Sequence, residues 1–143
     1  MFVKQISVFL ENKGGRLANV TRILAENKVN IRALSIADTT DFGILRLIVN
    51  DPDKALKCLK DAGLIVRTTN VLAIAVDDVA GSLAAALDTI DKNGISVEYM
   101  YAYLGNLPEK AMVVLKVDNP ETATEKLCST NVNVLEAEDV YKI

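Results

Sequence analysis

Alternating apolar and polar residues predict that the chain begins with a strand and continues into an amphipathic helix. Ile6, Val8 and Leu10 occupy every second position, which is the period of a strand with one buried face. A pair of glycines then ends the alternation. From Arg16 to Asn27 the apolar residues recur at the spacing of one helix face, so a helix is predicted there.

The following stretch predicts a hairpin, a second helix and a fourth strand. Val29–Asp38 and Ile44–Asn50 alternate as strands, with turn-forming residues between them. Asp51-Pro52 marks a helix start, because aspartate is a good N-cap and proline is tolerated at the first helical position. Leu64–Thr69 alternates once more, so the predicted order is βαββαβ.

This order repeats along the rest of the chain. Gly81 and Leu83 match Gly15 and Leu17 at one constant offset, and Asn119-Pro120 repeats the pairing of a capping residue with proline. An internal repeat with two such landmarks indicates one folding unit used twice.

Each half is predicted to be a ferredoxin-like βαββαβ sandwich. The fold class is α+β, with two tandem antiparallel sheets and the helices on one face of each. The first domain is predicted over residues 1–69 and the second over residues 70–143. Val132–Leu135 is the predicted last core strand, and Asp139–Ile143 a short tail.

The sheet face opposite the helices is predicted to be apolar in both halves. Alternation places on it Phe9, Leu34, Ile36, Ile44 and Ile48 in the first half, and Val71, Ala73, Met100, Met112 and Val114 in the second. An exposed apolar sheet face usually marks an interface. We therefore expect a homodimer, or packing between the halves, across this face.

Composition removes several classes of function. The net charge of -3 argues against nucleic acid or a membrane surface as a partner, since either requires a basic face. The chain has no histidine, the commonest general base and metal ligand, and its two cysteines are not spaced as a metal or redox motif. We expect no cofactor, no metal and no catalytic site. The absence of a signal-like start and of a long apolar run predicts a cytoplasmic protein.

The glycine loop before the first helix carries the candidate chemistry. A helix N-terminus presents unpaired N–H groups and a partial positive charge, which attract a carboxylate or phosphate. Gly14 and Gly15 allow a close approach to the main chain, while Lys13 and Arg16 add positive charge and Asn12 can donate or accept. A plain strand-to-helix turn with solvated basic residues is the other interpretation.

The corresponding loop of the second half is more acidic. Asp77 and Asp78 precede Gly81, and Ser82 stands where the first half has Arg16. The two loops are therefore predicted to be unequal, with the first loop the better anion receptor.

These residues resemble the ACT domain. The resemblance lies in Ile6–Asn12, the run Gly14-Gly15-Arg16-Leu17 and the strand start Val29-Asn30-Ile31. Gly81-Ser82-Leu83 and Gly94-Ile95-Ser96-Val97 look like a second copy. Over nearly its whole length the chain is similar to the stand-alone tandem ACT proteins of bacteria.

The resemblance implies regulatory binding of an amino acid or a similar small carboxylate between two ACT domains. One implied site joins the loop of one half to a strand of the other: Asn12, Gly14, Gly15, Arg16 and Leu17 with Glu98, Met100 and Tyr101. A mirrored site joins Val79, Gly81, Ser82 and Leu83 with Leu34, Ile36 and Asp38. Glu98 or Asp38 would receive the α-amino group, and an unknown partner protein would sense the bound state. The alternative is a structural module that dimerises without a ligand.

Overall fold

The computed structural model describes residues 2–11, 13–38, 41–103 and 107–143. It is a mixed α/β structure in which the paired strands of the described residues run antiparallel. The strands are β1 Val3–Glu11, β2 Ile31–Asp38, β3 Phe42–Val49, β4 Ile65–Asp77, β5 Val97–Ala102, β6 Lys110–Val117 and β7 Asn133–Val134. The helices are α1 Arg16–Glu26, α2 Pro52–Asp61, α3 Ser82–Lys92, α4 Pro120–Leu127 and α5 Ala137–Lys142.

The chain divides into two compact units. The first unit is Lys4–Thr69, and the second is Asn70–Ile143 with the start of the chain up to Val3. In the first unit β3 pairs with β1 on one side and β2 on the other. In the second unit β6 lies between β4 and β5, and β7 pairs with the other edge of β4.

Each unit buries an apolar core between its helices and one face of its strands. In the first unit α1 and α2 contribute Val20, Leu24, Ala55 and Leu59, which pack with Ile6, Val8, Leu45 and Leu47 from β1 and β3. In the second unit α3 and α4 contribute Ala86, Ile90, Ala123 and Leu127, which pack with Leu72, Ile74, Val113 and Leu115. These side chains are almost fully removed from solvent, and burial of apolar area is the main force that holds each unit together.

The second strand of each unit contains a β-bulge that strict alternation does not anticipate. The register shifts between Ile31 and Ala33 in β2, and between Val97 and Tyr99 in β5. One extra residue moves every later side chain to the opposite face of the strand.

The bulges make the assignment of Leu34, Ile36 and Met100 to the open sheet face wrong. Their register partners are Leu47, Leu45 and Leu115, all of which belong to the helix-covered cores. These three residues therefore lie on the helix-covered side of their strands.

The face opposite the helices is exposed over only part of its predicted area. Ile48, Val71, Ala73, Met112 and Val114 are buried. Phe9 and Ile44 are exposed, together with Phe42, which the sequence did not place on this face. The rings of Phe9 and Phe42 stack with their centroids 5.0 Å apart.

Three other elements differ from the sequence prediction. The strands expected on either side of residue 70 form one thirteen-residue strand, β4, because no glycine or proline interrupts it. The last core strand is shorter than predicted, since β7 is only Asn133–Val134. The expected tail belongs to a helix, α5, in which Ala137 and Val140 are buried.

The predicted starts of the second and fourth helices are confirmed. Asp51 accepts a hydrogen bond from the N–H of Lys54 at 3.1 Å, and Asn119 accepts one from the N–H of Thr122 at the same distance. Pro52 and Pro120 begin the helices. Each cap satisfies an N–H group that the helix itself cannot pair.

Removal of the Asp51 side chain tests whether its cap hydrogen bond stabilises α2. Asp51→Ala should lower the free energy of unfolding by about 1 kcal/mol, because one first-turn N–H loses its acceptor. Asp51→Asn is the matched control and should stay close to the wild type, since asparagine caps equally well. Urea unfolding measures both; equal losses in the two variants would show that the cap hydrogen bond is not the cause.

Candidate functional site

The candidate site is built on the two loops that lead from a strand into a helix. Loop 1 precedes α1 and is described over residues 13–15, and loop 2, residues 78–81, joins β4 to α3. Each helix is preceded by a glycine in the left-handed region, Gly15 with φ 83° and Gly81 with φ 90°. A residue with a side chain adopts this conformation only with strain, which accounts for glycine at both positions.

The glycine caps leave the starts of α1 and α3 open. Among the residues that the structure describes, no side chain caps either helix, and neither helix has an acidic residue in its first turn. In contrast, α2 and α4 are capped by Asp51 and Asn119 and carry acidic first turns. The N–H groups of Arg16 and Ser82 donate to the carbonyl oxygens of Lys13 and Val79 at 3.4 and 3.3 Å, so it is the following N–H groups and the helix dipole that can attract an external anion at these two loops.

The cations of loop 1 are held by a carboxylate that the sequence analysis did not assign to the site. Glu11 accepts from the ammonium of Lys13 at 3.0 Å and from the guanidinium of Arg16 at 3.4 Å. The hydrogen bond and charge of Lys13, followed by the charge of Arg16, hold the pKa of Glu11 below its ordinary value. Glu11 and Lys13 are exposed and Arg16 is half-buried, and together they carry one net positive charge, so loop 1 retains an excess of positive charge.

The acidity of loop 2 is reduced by a lysine that lies far away in sequence. Asp77, at the end of β4, forms an ion pair with Lys110 at the start of β6. The N–H of Asp78 donates to the carbonyl oxygen of Glu109 at 3.0 Å, which ties the loop to the same neighbour. Sequence reasoning missed Lys110, and the only available signal was the antiparallel register that brings the two residues opposite each other.

A surface cleft lies beside each loop at the same place in the repeat. The first cleft has a volume of about 160 Å³ and is bordered by the end of β1, Arg16 and the segment after α2. The second has a volume of about 240 Å³ and is bordered by the end of β4, Ser82 and the segment after α4. Both clefts therefore place an open helix start beside an acid–base pair.

Sequence-predicted residues on the loops lie where expected for a ligand approaching from solvent. Gly14, Gly15 and Gly81 are exposed, and Arg16 and Ser82 are half-buried. Leu17 is 40% exposed and Val79 67% exposed. Leu83 packs instead against the core of the second unit. Asn12 lies outside the described residues.

The strand residues predicted to line the two sites, here called the strand walls, do not all lie on one side of their strand. Met100 and Tyr101 are consecutive in β5, with Leu115 and Val114 as their register partners, so they point to opposite sides of the sheet. Glu98, at the bulge, is exposed. Leu34, Ile36 and Asp38 share one side of β2, since they occupy alternate positions after its bulge. The joining of loop and strand into one site stays a prediction.

Two further properties bear on what the site could hold. In the ranges that the structure describes, histidine, cysteine, aspartate and glutamate form no cluster of three or more that could bind a metal ion. Within the same ranges, no helix has the length and apolar character needed to cross a membrane.

Comparison with known proteins agrees with this geometry. The family model described as an ACT domain pair matches residues 1–143. The crystal structure of protein BT0572 from Bacteroides thetaiotaomicron is 45% identical, with a TM-score of 0.93, and the match covers 100% of this chain and 98% of that one. A search of curated proteins finds no match.

Two more distant structures share the fold. The ligand-free regulatory subunit of aspartate kinase from Thermus thermophilus is 15% identical, with a TM-score of 0.64, over 87% of this chain and 90% of that one. Aspartate kinase from Synechocystis is 17% identical, with a TM-score of 0.56, over 88% of this chain and 25% of that one.

Two α/β units, each with a glycine loop between strand and helix, define the class as a tandem of two small α/β domains. The chain belongs to the family of ACT domain pairs. The resemblance predicted from the sequence is thereby confirmed.

The strain assigned to Gly15 can be tested with its neighbour as the control. Gly15→Ala should cost about 1 kcal/mol of unfolding free energy, because its φ of 83° disfavours a Cβ atom. Gly14→Ala should change stability by less than about 0.5 kcal/mol, since φ is not positive there and a Cβ would meet no atom within 4 Å. Equal effects in thermal or urea unfolding would contradict the left-handed cap.

The charges of loop 1 predict that the pKa of Glu11 depends more on Lys13 than on Arg16. Glu11 should titrate below an ordinary glutamate by carboxyl NMR, and Lys13→Ala should raise its pKa more than Arg16→Ala. Because the folded pKa is the lower one, the stabilisation by Glu11 is present at neutral pH and disappears as the pH falls through that pKa. An ordinary pKa in the wild type, or the reverse order in the variants, would refute the arrangement.

Proposed function

We propose that this chain is a non-catalytic regulatory protein that binds an amino acid, or a similar small carboxylate, through the glycine loops of its ACT domains. The observation that carries the proposal is the contrast between helix starts. Those of α2 and α4 are capped by Asp51 and Asn119, while no side chain in the described part of the chain caps α1 or α3. An external carboxylate would supply the missing acceptor.

Loop 1 is the proposed primary receptor for the α-carboxylate. The first-turn N–H groups of α1 would donate to it, and Arg16 would hold it through a two-pronged contact. In the structure, the guanidinium of Arg16 donates to the carboxylate of Glu11 at 3.4 Å, which is long for a hydrogen bond between charged groups. A ligand carboxylate that binds Arg16 more closely would replace Glu11, whose own carboxylate then becomes available to the α-ammonium group.

The finer assignment follows the resemblance. We propose two ferredoxin-like βαββαβ domains, residues 1–69 and 70–143, in a cytoplasmic homodimer. The strand walls proposed for the two sites are Glu98, Met100 and Tyr101 for loop 1, and Leu34, Ile36 and Asp38 for loop 2. Loop 1 would bind the anion more tightly, because the ion pair of Asp77 with Lys110 leaves Asp78 as excess negative charge beside loop 2.

Regulation would work by a shift in population. A ligand bound more tightly in one arrangement of two domains stabilises that arrangement by its differential affinity, and a partner protein senses the change. The neighbour from Thermus thermophilus is named as a regulatory subunit, which is compatible with this role.

The alternative function, a structural module that dimerises without a ligand, is favoured by the apolar surface of the first unit. Phe9, Phe42 and Ile44 are exposed on one sheet face, and two of them stack. Such a cluster is typical of an interface between proteins. The two candidate functions differ in their response to amino acids, because only a binder gains stability by mass action.

Thermal melting with each of the twenty amino acids, followed by calorimetry, tests the proposal. At least one amino acid should raise the melting temperature of the wild type, and Arg16→Ala should weaken its binding about tenfold to a hundredfold, through loss of a charged hydrogen-bond pair. Arg22→Ala is the matched control, since Arg22 is an exposed arginine of the same helix outside the loop, and should bind as the wild type does.

Two results would count against the proposal. No response to any amino acid would favour the structural module. If the wild type and a folded Arg16→Ala variant bind the amino acid equally tightly, Arg16 does not bind the ligand carboxylate.

A further inference from the structure

Helix α5 is attached at its two ends to different strands of the second unit. Before it, the N–H of Leu135 donates to the carbonyl oxygen of Ala73 in β4 at 2.8 Å. After it, the hydroxyl of Tyr103, which follows β5, donates to the carbonyl oxygen of Ile143 at 2.8 Å. Because β6 lies between β4 and β5 in this sheet, α5 passes across β6.

The register identifies the sheet face that α5 crosses. Tyr101 is paired with Val114, and the N–H of Tyr103 donates to the carbonyl oxygen of Met112 at 3.1 Å. Val113 and Leu115 belong to the core beneath α3 and α4, so Met112 and Val114 point the opposite way. Tyr103 therefore lies on the face opposite the packed helices, and α5, bound to its hydroxyl, crosses that face.

The same face is open at the equivalent place of the first unit. Met112 corresponds in the repeat to Ile44, and each is paired with its counterpart strand residue, Ala75 or Phe9. Ile44 is 38% exposed and Met112 only 2% exposed. Ala137 and Val140 of α5 are themselves buried, as expected for side chains that cover a surface.

We propose that α5 is a built-in cover, latched by the Tyr103–Ile143 hydrogen bond, over a second apolar face equivalent to the exposed face around Phe9 and Ile44. The cover opens as a unit while the helix-packed core stays folded. Opening exposes Met112 and Val114 and gives the second unit the kind of face that the first unit presents permanently. A helix of only six residues belongs to the low-stability end of a structure, where local opening precedes global unfolding.

Only the second unit can be closed in this way. The first unit has no segment to spare after its last strand, because β4 continues without a turn into the second unit. In the second unit the chain leaves β7 after two residues and is available to fold back. Because of this cover, the two units differ in the exposure of the sheet face opposite their packed helices.

The rate at which dilute hydrogen peroxide oxidises Met112 in the full chain measures how often α5 opens. Met100 is 42% exposed and serves as the internal reference, and Met112 reports the cover. In Tyr103→Phe the initial oxidation rate of Met112 should rise about threefold to tenfold, the effect of losing one hydrogen bond from the closed state, while the rate of Met100 stays constant. A chain truncated after Leu135 should bring Met112 towards the rate of Met100.

Thr89→Val is the matched control. It removes one hydroxyl-to-carbonyl hydrogen bond, that of Thr89 to Ala85 at 3.1 Å, from α3 in the same unit, and should leave Met112 unaffected. An unchanged Met112 rate in Tyr103→Phe would overturn the proposal. So would a rise matched by equally faster amide exchange in the strands of the core, since Met112 would then be reached by global unfolding. If the truncated chain does not fold, Tyr103→Phe alone decides.

Discussion

The left-handed glycine at the start of α1 and α3 is the constraint on which the candidate site depends. It turns the chain from a strand into a helix without offering a side chain to the first N–H groups. Among the described residues, the fold therefore has two helix starts without a side-chain cap and two with one. A protein that needed only tight turns could have used aspartate or asparagine at all four positions, as it does before Pro52 and Pro120.

Charge near the loops depends on both local and distant neighbours. In loop 1 the carboxylate and both cations come from one short stretch of chain, so the sequence contained the whole arrangement. In loop 2 the aspartate is local, but its cation is on β6. A count of charges along the sequence consequently exaggerated the acidity of the second loop, because it could not include the strand that lies opposite.

Local patterns predicted the elements and the family well. Asp51-Pro52 and Asn119-Pro120 each mark a helix start with two residues, and the repeat matched the glycines that precede α1 and α3. The bulges after Ile31 and Val97 were not predictable by alternation, since a bulge depends on how two strands pair. For the same reason the sequence missed α5, whose few buried side chains become meaningful only against a sheet face.

The two bulges also determine which genetic changes the strands can accept. Beyond each bulge, the assignment of side chains to core or surface depends on one extra residue. Substitutions there alter one contact, whereas a one-residue deletion near Arg32 or Glu98 would turn the rest of the strand over and exchange buried for exposed positions. Related sequences should therefore accept substitutions along β2 and β5 more readily than a change in the number of residues in either strand.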